Sequence, residues 1–475
     1  MVRTLSSAVL VLALLAASTG RSDADSSASA PSGTWLGTSA LGNRSPVALG
    51  VRFAGRRALA ALGAGHVDAQ NVSIKSAGGR IRFTLPGRPA PVAFDGRLRG
   101  AHLAGTTRQG SARGTFTLLR GNAAALLARG YFGEAATRRA VVDDPFGAAR
   151  LVDLETGELH GLFGAGPTFA VGAGWSTQTP SVGTVRLDPA AATIAGAKLA
   201  RRPVRQYDVR FPSGGTTLAG TLTLPPGPGR RAAVAFVAGS GATLRAYLPD
   251  LQALLVDSGV AVLAYDKRGI AQSGGRYPGE SPTDGAIDIL AADAQAASRW
   301  LARQVDVDPA RVGLAGHSQA GWIMPLAASR EPAVRFLIAF AGPAVSADET
   351  DLFQDLTGRG ERPSQLSDDE IEAEVAKRGP SGFDPIAAIR ALRIPALWLY
   401  GGLDRHIPSR MSARRLEPIA AEPGRDFTVT TFAQANHALV QTQTGLTAEM
   451  LRSDRFAPGL FQAVRAWLRS HALGV

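Results

Sequence analysis

The chain has 475 residues, of which 45% are hydrophobic and 19% are charged; such values are typical of a globular protein and exclude a largely disordered chain. Glycine (55 residues) and proline (29 residues) follow no fixed period, which excludes a collagen-like fibre. No stretch reaches the roughly 18 apolar residues of a membrane span. The absence of cysteine excludes disulfides, a thiolate metal site and a cysteine nucleophile.

The net charge of +12 is concentrated in the N-terminal part of the chain. Residues 1–200 carry 21 Lys and Arg against 11 Asp and Glu, whereas residues 201–475 carry 30 against 28. No cluster of basic residues with interleaved aromatic residues, typical of nucleic-acid binding, is present. We therefore predict no nucleic-acid partner and a weak attraction to the anionic cell envelope. A basic surface without any partner is the simpler alternative.

The first 30 residues are predicted to be a signal peptide followed by a polar linker. Arg3 precedes an apolar run over 8–17, which has the length of a signal core and is too short to span a membrane. Small residues over 28–30 fit a cleavage site before Pro31. Cleavage near Ala17 and an uncleaved N-terminal anchor are the alternatives. We expect an exported protein, either secreted or periplasmic.

Residues 31–121 are predicted to form a β-sandwich or barrel domain. Turn residues separate short segments of alternating apolar and polar residues at intervals of about ten residues. These segments are 47–53, 72–74, 81–85 and 114–118. A helix is predicted over 122–129, within a second β-rich region over 122–200. The strands predicted in this second region are 149–153, 159–163, 168–171 and 184–187.

Residues 201–475 have the pattern of an α/β domain. Two strands, over 207–211 and 217–224, precede buried strands that alternate with helices. The buried strands are predicted over 232–237, 260–265, 312–315, 336–340, 396–400 and 427–431. The helices are predicted over 247–258, 284–303, 319–329, 409–421 and 455–471. Such short, continuously apolar strands are covered on both faces, which indicates a mostly parallel sheet with helices on both sides.

A candidate nucleophile lies where the strand over 312–315 runs into the next helix. The sequence Gly-His-Ser-Gln-Ala over 316–320 places Ser318 between small residues, which allow the strained turn that exposes a serine hydroxyl. Ala320 departs from the usual glycine by one methyl group. An ordinary helix N-cap serine is the alternative interpretation, but the preceding buried strand favours a nucleophile.

A serine nucleophile needs a base, and His437 is the candidate among seven histidines. It follows the last strand, at the carboxyl edge where the active sites of such sheets lie. His317 adjoins Ser318, but its side chain is expected to point away from the hydroxyl. His406 is expected to face solvent.

The candidate acid that orients the base is Asp404, which directly follows the strand over 396–400. Asp348, after the strand over 336–340, is the alternative. The order Ser318, Asp404, His437 is the order expected for an α/β-hydrolase.

A tetrahedral intermediate also needs backbone donors for its oxyanion. The amide of Gln319, directly after the serine, is one candidate. The amide of Ser240 is the other, because the Ala-Gly-Ser-Gly loop over 238–241 follows the first buried strand, and its glycines allow close approach of the backbone to a substrate.

Residues 207–475 resemble the α/β-hydrolase superfamily, nearest the serine esterases and acyl-peptidases related to dienelactone hydrolase and prolyl oligopeptidase. The matching segments, besides the serine turn, are 236–241, 264–269, 306–312, 400–404 and 436–437. Ala238 departs from the pattern, since a histidine often stands there in relatives, and this departure concerns the rigidity of the loop. Asp266, in an Asp-Lys-Arg-Gly turn, is expected to be structural.

Residues 343–394 form an insertion that resembles the cap of this superfamily, which lies over the active site. A capping box at Ser367 and Glu370 predicts a helix start. The many charged residues favour a mobile, solvated lid.

Together these features predict a carboxylesterase-like serine hydrolase that forms an acyl-enzyme intermediate and uses no cofactor or metal. Peptide or acyl-amide cleavage by the same residues is the first alternative. The N-terminal region lacks the repeat of roughly 40–50 residues that marks a propeller, which favours the esterase. The second alternative is an inactive protein that binds the cell envelope, as the basic N-terminal region suggests.

Overall fold

The computed structural model describes residues 31–42, 47–62, 70–86, 90–120, 130–143, 149–163, 167–175, 181–279, 282–450 and 452–474. The predicted signal peptide and the predicted helix over 122–129 lie outside these residues. The described strands form three sheets, of nine, eight and eight strands. Within the described ranges, no helix combines the length and apolar character needed to cross a membrane.

The first sheet is antiparallel throughout. Its strands are β1 Gly33–Leu41, β2 Val47–Ala54, β3 Arg57–Leu62, β4 Gln70–Ser73, β5 Lys75–Ala77, β6 Arg80–Leu85, β7 Val92–Arg99, β8 His102–Gln109 and β9 Ala112–Arg120. β1 pairs with both β2 and β9, and only Ile74 separates β4, which pairs with β3, from β5, which pairs with β6. The sheet therefore closes into a barrel. Its interior is filled by aromatic side chains, namely Trp35, Phe53, Phe83, Phe94 and Phe116.

The second sheet is also an antiparallel meander. Its strands are β10 Gly130–Phe132, β11 Arg139–Asp143, β12 Ala149–Asp153, β13 Leu159–Phe163, β14 Thr168–Gly172, β15 Ser181–Leu187, β16 Ala191–Ile194 and β17 Ala197–Ala200. Its two ends meet, because the Gly133 amide donates to the Ala200 carbonyl (2.9 Å) and the Arg202 amide to the Tyr131 carbonyl (2.8 Å). The two closed sheets confirm an all-β N-terminal region.

The third sheet has the strand order β18-β19-β21-β20-β22-β23-β24-β25. Its strands are β18 Arg205–Ser213, β19 Thr216–Leu224, β20 Arg231–Val237, β21 Ala261–Tyr265, β22 Val307–His317, β23 Leu337–Phe340, β24 Ala396–Gly401 and β25 Phe427–Phe432. β18 and β19 are antiparallel, as are β19 and β21. All pairs from β21 to β25 are parallel.

The helices of this part are α1 Pro249–Asp257, α2 Asp284–Leu301, α3 Ala320–Arg330, α4 Ala347–Leu356, α5 Asp368–Arg378, α6 Ile386–Ala391, α7 Ser409–Ala420, α8 Thr447–Met450 and α9 Leu460–Ser470. Successive residues of β20 face opposite cores. Val234 and Phe236 pack on the side of α1 and α9, whereas Ala235 and Val237 pack on the side of α2 and α3. Burial on both faces explains the continuously apolar runs of β20, β21, β23 and β24. The prediction of a buried strand over 427–431 is wrong, because β25 lies at the edge of the sheet and is only partly buried.

The last helix begins later than predicted. The sequence predicts a start at residue 455, but α9 begins at Leu460, after Gly459, whose φ of 86° is left-handed. Residues 455–457 are instead extended and pair with the chain on both sides, so tertiary contacts override the helical pattern there.

The second sheet and the α/β part are joined by backbone hydrogen bonds. The Leu159 amide donates to the Asp454 carbonyl (2.7 Å), and the Phe456 amide donates to the Gly157 carbonyl (2.9 Å). On its other side, the same segment receives a bond from the Gln441 amide to the Arg455 carbonyl (3.0 Å). Residues 453–457 are therefore held between the second sheet and the loop that follows β25.

A buried ion pair also crosses this junction. Arg150 on β12 (4% exposed) and Asp250 on α1 (0% exposed) form two hydrogen bonds, of 3.1 Å from Nε to Oδ1 and 2.7 Å from a terminal nitrogen to Oδ2. We expect Arg150→Met to lower the free energy of unfolding by about 3–5 kcal/mol, because it leaves a buried carboxylate unpaired. Thermal and urea unfolding measure this loss. The double variant Arg150→Met/Asp250→Leu should recover most of it, and a failure to recover would contradict the prediction.

The predicted cap insertion contains α4, α5 and α6. Its acidic residues contact arginines of α7 beneath them. Arg410 lies 2.9 Å from Asp369, Arg414 lies 2.5 Å from Glu372, and the buried Glu349 lies 2.5 Å from Arg415. The cap charges are thus paired across its base as well as facing solvent.

Candidate active site

Ser318 lies at the sharp turn between β22 and α3. Its φ of 59° is left-handed, a strained conformation for a residue with a side chain. The turn is fixed by hydrogen bonds from the Ser318 amide to the Phe340 carbonyl (3.0 Å) and from the Gly321 amide to the Ser318 carbonyl (2.8 Å). A Cβ at Gly316 would lie 2.6 Å from the methyl group of Ala320, so the alanine requires a glycine on the other side of the serine.

The loops after β24 and β25 bring an imidazole and a carboxylate to this serine. His437 Nε2 lies 3.0 Å from Ser318 Oγ, and His437 Nδ1 lies 2.8 Å from Asp404 Oδ2. The other Asp404 oxygen accepts hydrogen bonds from the amides of His406 (2.7 Å) and Ile407 (2.9 Å). The three side chains predicted from the sequence therefore form one hydrogen-bonded chain.

The charge state of Asp404 follows from two opposing effects. Burial of the side chain favours the neutral acid, but the adjacent His437 and the backbone donors favour the carboxylate, and the pKa of Asp404 is lowered overall. The alternative acid, Asp348, lies on α4 in the cap, where it accepts a hydrogen bond from Ser381.

His317 contacts both the ring and the backbone carbonyl of His437. As expected, it points away from Ser318: its Nδ1 lies 2.7 Å from the Tyr247 hydroxyl, and its Nε2 lies 2.7 Å from the His437 carbonyl oxygen. A carbonyl only accepts, so Nε2 carries the proton, and Nδ1 of the neutral ring accepts from Tyr247. Burial and the nearby His437 lower the pKa of His317 to about 3.

This lowered pKa predicts an acid-dependent loss of stability. Below the ordinary histidine pKa of 6.5, the unfolded chain binds a proton that folded His317 excludes until about pH 3, so stability falls as the pH falls through this interval. We expect the melting temperature to fall more for the parent protein than for His317→Gln between about pH 8 and pH 5. Differential scanning fluorimetry measures both, and equal decreases would refute the prediction.

The expectation for His406 is wrong. Its ring is half-buried and packs on His437, with 4.9 Å between ring centroids and 30° between ring planes. Burial and the neighbouring His437 lower the pKa of His406 to about 4. His406 follows Asp404 by two residues, and that turn carries it back over the base.

The two predicted oxyanion donors lie in chain segments that adjoin Ser318. Gln319 is buried at the start of α3, and Ser240 is exposed in the loop after β20. Within the described part of the chain, neither amide donates to another backbone or side-chain acceptor. A Cβ at Gly239 would lie 3.2 Å from Ser318 Cβ, so this loop approaches the nucleophile as closely as its glycine allows.

The arrangement can accept a proton from a hydroxyl, hold the resulting imidazolium against a carboxylate and donate two amides to an oxyanion. The described residues contain no group of three His, Asp or Glu that could hold a metal ion. Two supporting residues are not among the sequence predictions. Tyr247 belongs to none of the motifs, although it follows the loop over 238–241 closely. Lys267, whose Nζ donates to the side-chain oxygen of Gln319 (3.2 Å), carries no signal besides its place in the Asp-Lys-Arg-Gly turn.

The parallel strands of the third sheet and the order Ser318, Asp404, His437 at their carboxyl edge resemble an α/β-hydrolase. Residues 192–370 match the family model of the X-Pro dipeptidyl-peptidases (S15 family). This match confirms the resemblance to the α/β-hydrolase superfamily.

A curated relative, an uncharacterized protein of Mycobacterium tuberculosis, is 33% identical over 182 residues, which are 38% of this chain and 55% of the relative. The chain thus spans about half the length of the curated relatives it matches.

Solved structures to which part of this chain is similar include an esterase and a dienelactone hydrolase. The Pyrococcus furiosus esterase is 17% identical with a TM-score of 0.40, over 56% of this chain and 90% of that one. The dienelactone hydrolase from Anabaena variabilis is 18% identical with a TM-score of 0.35, over 56% of this chain and 98% of that one.

Proposed function

We propose that this protein is a serine hydrolase that cleaves carboxylic esters. The observation that carries the proposal is the continuous chain from Ser318 Oγ to His437 Nε2 (3.0 Å) and from His437 Nδ1 to Asp404 (2.8 Å). Ser318 and His437 are both partly exposed, so a substrate can reach them.

In the proposed reaction, Ser318 Oγ attacks the acyl carbonyl carbon while His437 Nε2 takes the hydroxyl proton. The negative charge that develops on the carbonyl oxygen is stabilised by the amides of Ser240 and Gln319. The intermediate collapses, and His437 returns the proton to the leaving alcohol. Water, activated by His437, then hydrolyses the acyl-enzyme, and Asp404 orients the imidazole and stabilises its cation throughout.

Covalent labelling tests this proposal. A fluorophosphonate probe should label the parent protein, and mass spectrometry of its peptides should locate the phosphonyl group on Ser318. The control is protein unfolded in urea before the probe is added. No labelling of the folded protein, together with no turnover of short-chain aryl esters, would refute the serine hydrolase and favour the envelope-binding alternative.

Peptide cleavage is the second candidate, because the matching family model is that of a peptidase. Esters are favoured since their cleavage needs less protonation of the leaving group than amide cleavage does. Matched substrates that release nitrophenol from an ester or nitroaniline from an X-Pro amide separate the two. A larger kcat/KM for the amide would reverse the assignment.

We also propose that this protein is exported and that its basic barrel, residues 31–120, gives it a weak affinity for the anionic lipids of the cell envelope. Residues 31–120 carry 13 Lys and Arg against two Asp. Arg80 and Arg97 lie directly opposite each other, an unfavourable arrangement that Asp95, paired with Arg80, relieves only in part. Exposed Arg99 adds to this patch.

Co-sedimentation tests the attraction. The protein should bind vesicles that contain phosphatidylglycerol at low salt, and neither those vesicles at high salt nor pure phosphatidylcholine vesicles. Arg97→Gln/Arg99→Gln should bind more weakly. Equal binding to both kinds of vesicle, or no binding to either, would contradict the proposal.

A further inference from the structure

Lys267 lies in the turn after β21, and its side chain reaches beneath the predicted oxyanion donors. The residue is only 3% exposed. Its Nζ donates to the carbonyl oxygens of Gly239 and Gly241 (3.1 Å for Gly241) and to the side-chain oxygen of Gln319 (3.2 Å). The buried ammonium group therefore contacts both chain segments that carry the candidate donor amides.

The number of these contacts matches an ammonium group. A protonated lysine has three N–H donors, and among the described residues three oxygens accept from this one, so the geometry fits the charged form. Two of the acceptors flank Ser240 in the chain. The Gly239 carbonyl belongs to the same planar peptide unit as the Ser240 amide, so its hydrogen bond to Nζ fixes the direction in which that amide points, and the bond to Gly241 holds the chain on the other side of Ser240.

The turn itself is firmly attached to the same loop. The Lys267 amide donates to the Thr243 carbonyl (3.2 Å), and the neighbouring carboxylate of Asp266 accepts from the Arg245 amide (2.9 Å) and the Arg245 side chain (2.7 Å). Asp266 is thus structural in this geometry. The Asp-Lys-Arg-Gly turn is therefore hydrogen-bonded to the chain that follows the loop over 238–241.

We propose that Lys267 is a positioning residue that holds the Ser240 and Gln319 amides in register for the oxyanion of the tetrahedral intermediate. The inference rests on the proposed serine hydrolase function. Lys267 acts in two ways: it fixes both donor segments from one point, and it places a positive charge behind amides that face a developing negative charge. Both effects are larger in the transition state than in the bound substrate, since the oxyanion exists only in the former.

Replacement of Lys267 by methionine keeps the length of the side chain and removes the charge and the three donors. We expect Lys267→Met to lower kcat for an aryl ester by about 100-fold with little change in KM, because the loss of one oxyanion donor costs about 10²–10³-fold. Its affinity for a trifluoromethyl ketone, which forms a tetrahedral adduct, should fall in parallel. Lys198→Met, an exposed lysine on β17, is the matched control and should retain parent kinetics.

A second variant keeps the test decisive if Lys267→Met does not fold. Gln319→Met removes one acceptor of Lys267 but retains the backbone amide, so it should lower kcat by a smaller factor, again with little change in KM. In the folded double variant the two losses should be less than multiplicative, because both act through the same contact.

Three outcomes would overturn the inference. The first is an unchanged kcat in Lys267→Met, and the second is a loss in that variant that is expressed mainly in KM. The third is an affinity for the trifluoromethyl ketone that equals that of the parent protein. This third outcome can be measured in Gln319→Met if Lys267→Met does not fold. Each presupposes an active parent protein labelled at Ser318. Absence of both activity and labelling in the parent would instead refute the proposed function.

Discussion

Ser318→Ala is expected to lower kcat for a short-chain aryl ester by about 10⁶-fold, because no other group can form the acyl-enzyme. The substitution also removes the hydrogen bond to His437 Nε2, but it leaves Asp404, the loop after β20 and the cap in place. Substrate binding should therefore survive the loss of turnover. Initial rates with purified protein measure kcat, and equilibrium binding of a non-hydrolysed substrate analogue measures affinity.

The matched control for this substitution is Ser329→Ala, an exposed serine at the other end of α3 whose hydroxyl donates to the Leu326 carbonyl. It should retain parent kcat. Retention of more than a trace of esterase activity by Ser318→Ala would remove the nucleophile from the proposed mechanism.

Asp404→Asn is expected to lower kcat by about 10⁴-fold while the fold is retained. The amide oxygen of asparagine can accept from the His406 and Ile407 amides, as one carboxylate oxygen of Asp404 does. Its NH₂ group would then face His437 Nδ1 and stabilise the tautomer in which Nε2 is protonated and cannot act as a base. The charge that stabilises the imidazolium is also lost.

Asp348→Asn is the control, because Asp348 is the alternative acid from the sequence and contacts Ser381 in the cap. The two variants should be compared by kcat and melting temperature. A large loss in Asp348→Asn with near-parent activity in Asp404→Asn would exchange the roles of the two carboxylates.

The strands of the α/β part could be predicted because most of them are short, continuous apolar runs bounded by turn residues, and β25 is a short run rich in Thr, Val and Phe. The strands predicted over 232–237, 396–400 and 427–431 correspond to β20, β24 and β25 with ends that differ by one residue. Ser318, Asp404 and His437 could be chosen because each lies in the turn or loop after such a strand, and the ends of neighbouring strands meet at one edge.

Contacts made across the fold could not be predicted in this way. The closure of the first sheet depends on Ile74, where the chain changes its pairing from β3 to β6, and no local pattern marks this position. A histidine in a polar loop, such as His406, is expected to be exposed, but the turn after Asp404 places the His406 ring against His437. Lys267 would be assigned to the surface from its residue type, and only the tertiary structure places three oxygens around it.

The attachment of residues 453–457 bears on how this protein can be divided. The match to the peptidase family model begins at residue 192. However, residues 453–457, which pair with the chain after His437, are also hydrogen-bonded to Gly157 and Leu159 of the second sheet. A truncated version that starts at residue 201 would lack these hydrogen bonds. We expect the loop that carries His437 to be less well positioned in it, although Ser318, Asp404 and His437 are all present. We therefore expect the smallest part of the chain with the proposed activity to include the second closed sheet. Substitutions in that sheet should alter turnover although they lie outside the candidate active site.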